Sequence, residues 1–237
     1  MLTNYDYLLY LYVNVFSVET WTSNLKRLRN KTVYILGDST TRQWYVYIMK
    51  KYSCASVTEQ WTAHKWRRPS ICRIEKYNVT VGWYPHCMPF SVGYGQEDNS
   101  YTLHSIARRI SDIGNQEHAI VVINLFMHVL PYHVNVFRIK MLKIRESVED
   151  LLSRNDKVQI YIKGPHSFER SPNGPFLLND FFGYAYINII FDTFKNLRDK
   201  VIYLNNVDAT DALRIKACHP PEHVVAAMVE QMFSFIR

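Results

Sequence analysis

Apolar positions along the chain alternate between two patterns: short runs of strand length, and longer stretches in which they recur every three or four residues. The runs are 32–36, 77–83, 119–125, 158–162 and 201–204, all rich in β-branched and aromatic side chains. Residues Ala119 to Ile123 are apolar without a break before Asn124 closes the run, which marks a parallel strand buried on both faces. The helical stretches are about 41–52 (Trp44, Ile48, Tyr52), 103–113 with Gly114-Asn115 as its stop, 181–197, and 221–236, started by proline and striped by Val225, Met228, Met232 and Phe235. The clearest helix follows Pro131, where Val134, Phe137, Met141, Ile144, Val148, Leu151 and Leu152 trace one stripe with charges opposite. Strand–helix alternation predicts an α/β fold with a five-stranded parallel sheet and helices on both faces. The segment 59–69, rich in tryptophan and base, and the Pro/Gly-containing segment 164–175 read as loops.

A chain of 237 residues with 48% hydrophobic content buries a sizeable core, so 21–237 reads as a single large domain. Residues 1–20 read as an extension. Their apolar stretch, Tyr7 to Val18, is interrupted by Asn14 and has neither a basic start nor a small-residue cleavage site. No run reaches the ~18 apolar residues a membrane span needs. The formal charge of +7 is spread, with clusters at Lys65/Arg67/Arg68 and Arg138/Lys140/Lys143/Arg145, and no nucleic-acid motif accompanies it. It argues against a nucleic-acid partner and for anionic surfaces or acidic glycans, although the second cluster also fits a solvated helix face. Cys54, Cys72, Cys87 and Cys218 show no CxxC spacing, so no zinc or other metal site is expected; in an oxidising compartment their even number favours pairing, with three connectivities open. The sequons Asn30-Lys31-Thr32 and Asn78-Val79-Thr80 agree with a secretory destination.

The candidate chemistry lies at Gly37-Asp38-Ser39-Thr40-Thr41-Arg42-Gln43, which joins the first strand to the first long helix. Gly37 permits a sharp exit, and Ser39 or Thr40 can cap the helix. A serine there also stands beside the amide-rich start of a helix, where a developing negative charge is stabilised. Ser39 is therefore either a nucleophile or only an N-cap. A hydroxyl nucleophile needs a base and a group to orient it. His219, held before Pro220-Pro221, is the candidate base, with Asp208 and Asp211 upstream.

Gly-Asp-Ser after the first strand resembles the nucleophile block of the SGNH/GDSL hydrolases, and the longer Gly37–Trp44 block resembles their PC-esterase branch. The nearest resemblance is to the carboxy-terminal domain of the neurexophilin and PC-esterase (NXPE) family. It is carried also by Val81-Gly82-Trp83 with His86, by Tyr101 to Arg108, by Val121 to Asn124 with His128, and by Val207 to Asp211 ahead of His219-Pro220-Pro221, so it runs from about Trp21 to the end. The resemblance implies a three-layer α/β/α, flavodoxin-like fold with strand order 2-1-3-4-5, in which strands 1 and 3 leave the carboxyl edge side by side at the switch point where ligands bind, and a catalytic set of Ser39, His219 and Asp211 or Asp208. It also implies oxyanion and substrate contacts from Gly37, Arg42, His86, Asn124 and His128, with Asn124 donating to the oxyanion and His128 shaping an acyl pocket. Two positions depart from it: Lys216 stands where SGNH enzymes usually place the aspartate, and Cys87 where the family usually has glycine. The implied activity is O-acetylation or deacetylation of glycans without a bound cofactor, acetyl-CoA being a possible acyl donor for a transferase. The rival expectation is a secreted binding module whose catalytic parts have decayed.

Overall fold

A computed structural model of the chain describes residues 21–59, 68–86, 104–168, 182–215 and 217–237, with side chains from Asn24 onward. The 1–20 extension, most of the tryptophan-rich loop, Cys87, the greater part of 164–175 and Lys216 lie outside the described residues.

Among the described residues seven strands form one sheet in the order β2-β3-β4-β1-β5-β6-β7. Strands β1 (Thr32–Gly37), β4 (Val79–Pro85), β5 (Ala119–Ile123), β6 (Val158–Lys163) and β7 (Val201–Leu204) are parallel and carry the expected order. The expectation of five strands is corrected by β2 (Ala55–Ser56) and β3 (Ser70–Ile74), which extend the sheet antiparallel beyond β4. These two are legible only by pairing. β3 alternates buried Ser70, Cys72 and Ile74 with more open positions, and β2 is two exposed residues. β4 also starts later than the 77–83 run suggests, because Tyr77 closes a 3-10 turn, Glu75–Tyr77, and Asn78 adopts a left-handed φ of 51°.

A disulfide between Cys54 and Cys72 joins the segment entering β2 to β3. Cys218 is a free thiol, so pairing does not extend to all four cysteines. The bridge closes a separation of 18 residues, for which restriction of the unfolded chain contributes about 3 kcal/mol. Urea unfolding of the Cys54→Ser/Cys72→Ser variant is expected to show a loss of about that size, concentrated in a protein still folded at 25 °C.

The helices are α1 (Trp21–Arg27), α2 (Ser39–Lys51), α3 (Ile106–Ser111), α4 (Val134–Arg154), α5 (Gly183–Phe194), α6 (Val207–Ala212) and α7 (Glu222–Ser234). Alternating side chains of β5 feed two cores. Val121 and Ile123 pack with Phe137, Met141, Ile144 and Val148 of α4 and with Tyr186 and Ile190 of α5. Ile120 and Val122 face the opposite layer, with Trp44 and Ile48 of α2 and Val225, Met228 and Met232 of α7. This is the three-layer arrangement the unbroken run predicts. On α4, exposed Lys143 pairs with Glu146 at 3.0 Å, while part-buried Arg145 pairs with Glu149 at 2.8 Å and donates to the Thr193 carbonyl of α5 at 3.0 Å, so half of that basic cluster is taken up in ion pairs within the helix. No helix among the described residues is long and apolar enough to cross a membrane.

Candidate active site

Ser39 is the first residue of α2, separated from the end of β1 only by Asp38. Gly37 is required by close approach: a Cβ there would lie 2.8 Å from the Asn124 carbonyl oxygen and 2.9 Å from Thr41 Oγ1. The helix cap is Asp38, not Ser39 or Thr40. Its Oδ1 accepts from the Thr40 amide at 2.9 Å and the Thr40 hydroxyl at 2.7 Å, while Oδ2 accepts from the Met127 amide at 2.9 Å. Trp83 Nε1 donates to the Asp38 carbonyl at 3.3 Å and stiffens the same turn. With capping done by its neighbour, the Ser39 hydroxyl is left for other work.

That hydroxyl meets His219 Nε2 at 2.7 Å, across 180 residues of sequence. The contact sits at the carboxyl edge of the sheet and the positive end of a 13-residue helix. Partial burial lowers the imidazole's pKa; Asp38 opposes this, while Arg42 and His128 add to it. The ring is thus kept neutral and able to accept a proton. Its rear nitrogen, Nδ1, lies 3.4 Å from Cys218 Sγ. The two candidate orienting carboxylates are on α6, a short helix, and they are engaged elsewhere. Asp208 accepts from Asn205 Nδ2 at 2.8 Å and Asp211 from Tyr184 Oη at 3.2 Å.

Asn124 is buried beside Gly37 and gives one amide hydrogen to the Lys163 carbonyl, at 3.1 Å. His86 is buried with its ring 4.8 Å from that of half-buried His128. Half-buried Arg42 is in the first turn of α2, and its charge reaches His219.

Beneath the serine lies a set of charges that the sequence did not announce. Asp38 is fully buried. Burial pushes its carboxyl up, but His128, Lys163, the Thr40 hydrogen bond and His86 outweigh that and hold it at about 2. Lys163, at the end of β6, is 2% exposed, donates to Thr40 Oγ1 at 3.3 Å and lies over the Trp44 ring. Burial brings its ammonium down to about 8, with Asp38 opposing. An anion under the nucleophile, compensated by a buried cation, fixes the first turn of α2 without placing net charge at the hydroxyl. Among the described residues no group of three His, Cys, Asp or Glu side chains is placed to hold a metal ion. The arrangement can remove a proton from Ser39 and return it, the elementary step of nucleophilic acyl transfer.

Solved structures resembling the chain include a carbohydrate acetylesterase, Est24, from Sinorhizobium meliloti (12% identity, TM-score 0.46, covering 86% of this chain and 97% of that one). Another is a family two carbohydrate esterase from Clostridium thermocellum in complex with cellohexaose (13% identity, TM-score 0.42, covering 87% of this chain). The chain spans 63% of the length of the Clostridium protein and of its active-site mutant. The family model described as NXPE family member 4-like, C-terminal domain, matches residues 13–236, and the chain therefore belongs to the NXPE family through that domain.

Proposed function

We propose that this domain is a serine acyl esterase or acyltransferase acting on O-acylated carbohydrate, with Ser39 as nucleophile and His219 as general base. The observation that carries the reading is the 2.7 Å contact between Ser39 Oγ and His219 Nε2 at the start of a helix. Ser39 Oγ attacks the acyl carbonyl as its proton passes to Nε2, and the tetrahedral oxyanion forms against the positive end of α2. Collapse breaks the ester bond, and the departing sugar oxygen takes the proton from His219. Water, or a sugar hydroxyl in a transferase, then attacks the acyl-enzyme by the same route in reverse. No bound cofactor enters these steps; a transferase would take its acyl group from a donor such as acetyl-CoA. The site works in the secretory lumen or outside the cell, consistent with the Cys54–Cys72 disulfide. Sequon residues Asn30 and Asn78 are exposed at the amino edge of the sheet, opposite the site, so glycans there would leave it open.

A second reading, a binding module on the same scaffold, is favoured by one observation: among the described residues a cysteine sulfur rather than a carboxylate faces His219 Nδ1. The readings separate on acetate release from acetylated oligosaccharides and a simple aryl acetate. The esterase releases acetate, and its rate rises with pH along an acid limb whose midpoint is below the ordinary histidine value of about 6.5. The sign follows from the lowered His219 pKa: the base is already neutral above that midpoint and is lost as pH falls through it. Absence of acetate release and of acyl transfer at any pH, with the fold intact, would leave the binding module.

A further inference from the structure

His166 is a buried, titratable group that the proposed mechanism does not use. It lies three residues beyond β6 with no exposed surface, and its ring packs edge-on with Phe126 and at a tilt with Phe168, at 5.5 and 5.9 Å between centroids. Its Nε2 is 2.9 Å from the carbonyl oxygen of Cys218, the residue before the candidate base. A carbonyl only accepts, so Nε2 carries the hydrogen and donates it, and Nδ1 is the bare nitrogen. Nδ1 is buried with no hydrogen-bond partner among the described residues. An unsatisfied buried acceptor costs about 1–3 kcal/mol, so packing alone would be better served by an apolar side chain.

The carbonyl on the other side of His219, that of Pro220, accepts from Gln43 Nε2 at 2.9 Å. The carbonyls of the two residues flanking the base are thus held by donors from α2 and from the segment after β6. One of these, α2, also carries Ser39, and Gln43 follows Ser39 by one helical turn. The donor on the other side is itself anchored. The Gly164 amide donates to the Leu204 carbonyl at 3.0 Å, and the Ser167 amide and hydroxyl donate to Thr210 Oγ1 at 2.9 and 3.0 Å, so the segment carrying His166 is tied to β7 and α6.

We propose that His166 is a positioning residue for His219: with Gln43 it clamps the carbonyls of Cys218 and Pro220 and sets the imidazole at hydrogen-bond distance from Ser39. The clamp takes on work that a carboxylate behind the ring shares in a Ser-His-Asp site, since a thiol is a weak acceptor for Nδ1–H. The catalytic consequence rests on the esterase reading, while the geometric one does not.

The test compares His166→Gln, whose Nε2 amide can reach the same carbonyl, with His166→Met, which fills the space and donates nothing. Two readouts apply to each protein: kcat and KM on an aryl acetate, and the pH titration of the His219 ring followed by NMR. The expected result is a fall in kcat of about 30–100-fold in His166→Met with KM within about twofold, as a displaced catalytic group costs on the order of 10²-fold. Its His219 midpoint rises toward 6.5 as the loop loosens, and His166→Gln restores both readouts. The proposal is overturned if His166→Met keeps the wild-type kcat and midpoint, or if His166→Gln fails as completely as His166→Met while folded. Should His166→Met not fold, Gln43→Leu removes the other half of the clamp and must move the His219 midpoint in the same direction. A wild-type protein without activity would sink the esterase reading, yet the NMR midpoints would still decide the clamp.

Discussion

Replacing Ser39 by alanine is expected to lower ester hydrolysis by about 10⁴–10⁶-fold, the scale on which removal of a triad nucleophile acts, while leaving thermal stability within about 2 °C of the parent. The stability half of this prediction carries as much information as the kinetic half. A serine that caps a helix contributes about 1 kcal/mol, and its loss to alanine would show in unfolding. Here the cap is the Asp38 carboxylate on Thr40, and the Ser39 hydroxyl bonds instead to His219. Steady-state rates on an aryl acetate, labelling by a fluorophosphonate probe, and urea unfolding of both proteins check it. Wild-type labelling that persists in Ser39→Ala would place the nucleophile elsewhere. A stability loss near 1 kcal/mol with rates unchanged would return Ser39 to the role of a cap.

The parallel core was legible because burial on both faces leaves a periodicity that nothing else in the chain imitates. Ala119 to Ile123 are all buried, and the α4 stripe buries Phe137, Met141, Ile144, Val148 and Leu151 as its spacing requires. What escaped was structure defined by partners rather than by pattern. β3 pairs with β4 along Ser70 to Ile74, but its polar positions break the apolar run by which a strand is recognised, and β2 is too short to carry a period. Helix α6 spans six residues of mixed polarity, Val207 to Ala212, where aspartate and threonine read equally well as turn residues.

At the site, Ser39 and His219 stood out through motif and position, and the fold brings them together. Lys163, His166 and Cys218 gave no signal. A lysine closing an apolar strand reads as the point where the chain reaches water, whereas Lys163 is 2% exposed under the nucleophile. A histidine in a loop with proline and glycine reads as solvated, whereas His166 is enclosed. Asp38 was visible within its motif, yet its partners Thr40, Met127 and Lys163 come from three separate elements. Only the sheet order, which sets β1 between β4 and β5 and β6 beyond β5, assembles them.

The second large effect is expected at that buried charge set. Asp38→Asn leaves one oxygen to accept but turns an amide nitrogen toward a donor, either Thr40 or the Met127 amide, and it strips Lys163 of its countercharge. Removing one partner of a buried pair costs about 3–5 kcal/mol, because the remaining charge is left without compensation. Lys163→Met is expected to cost less, about 1–3 kcal/mol, since Asp38 keeps three protein donors and the nearby His128 and His86. The double variant should cost less than the sum, with a coupling of about 0.5–3 kcal/mol. The sign of the pH dependence follows from the depressed Asp38 pKa. The carboxylate's stabilisation is complete above the unfolded value of about 3.9 and is lost as pH falls toward the folded value of about 2. His166 acts at higher pH, because burial holds its pKa at about 3 while the unfolded ring takes a proton near 6.5. Stability therefore falls by up to about 1.4 kcal/mol per unit below pH 6 before Asp38 titrates. Urea unfolding of the four proteins at pH 7, 5 and 4 measures both: the parent weakens from pH 7 to 5 through His166, and between pH 5 and 4 Lys163→Met loses less than the parent, because an Asp38 pKa raised toward its unfolded value leaves less stabilisation to lose. An Asp38→Asn protein as stable as the parent at pH 7 would show that the buried carboxylate does not hold the start of α2.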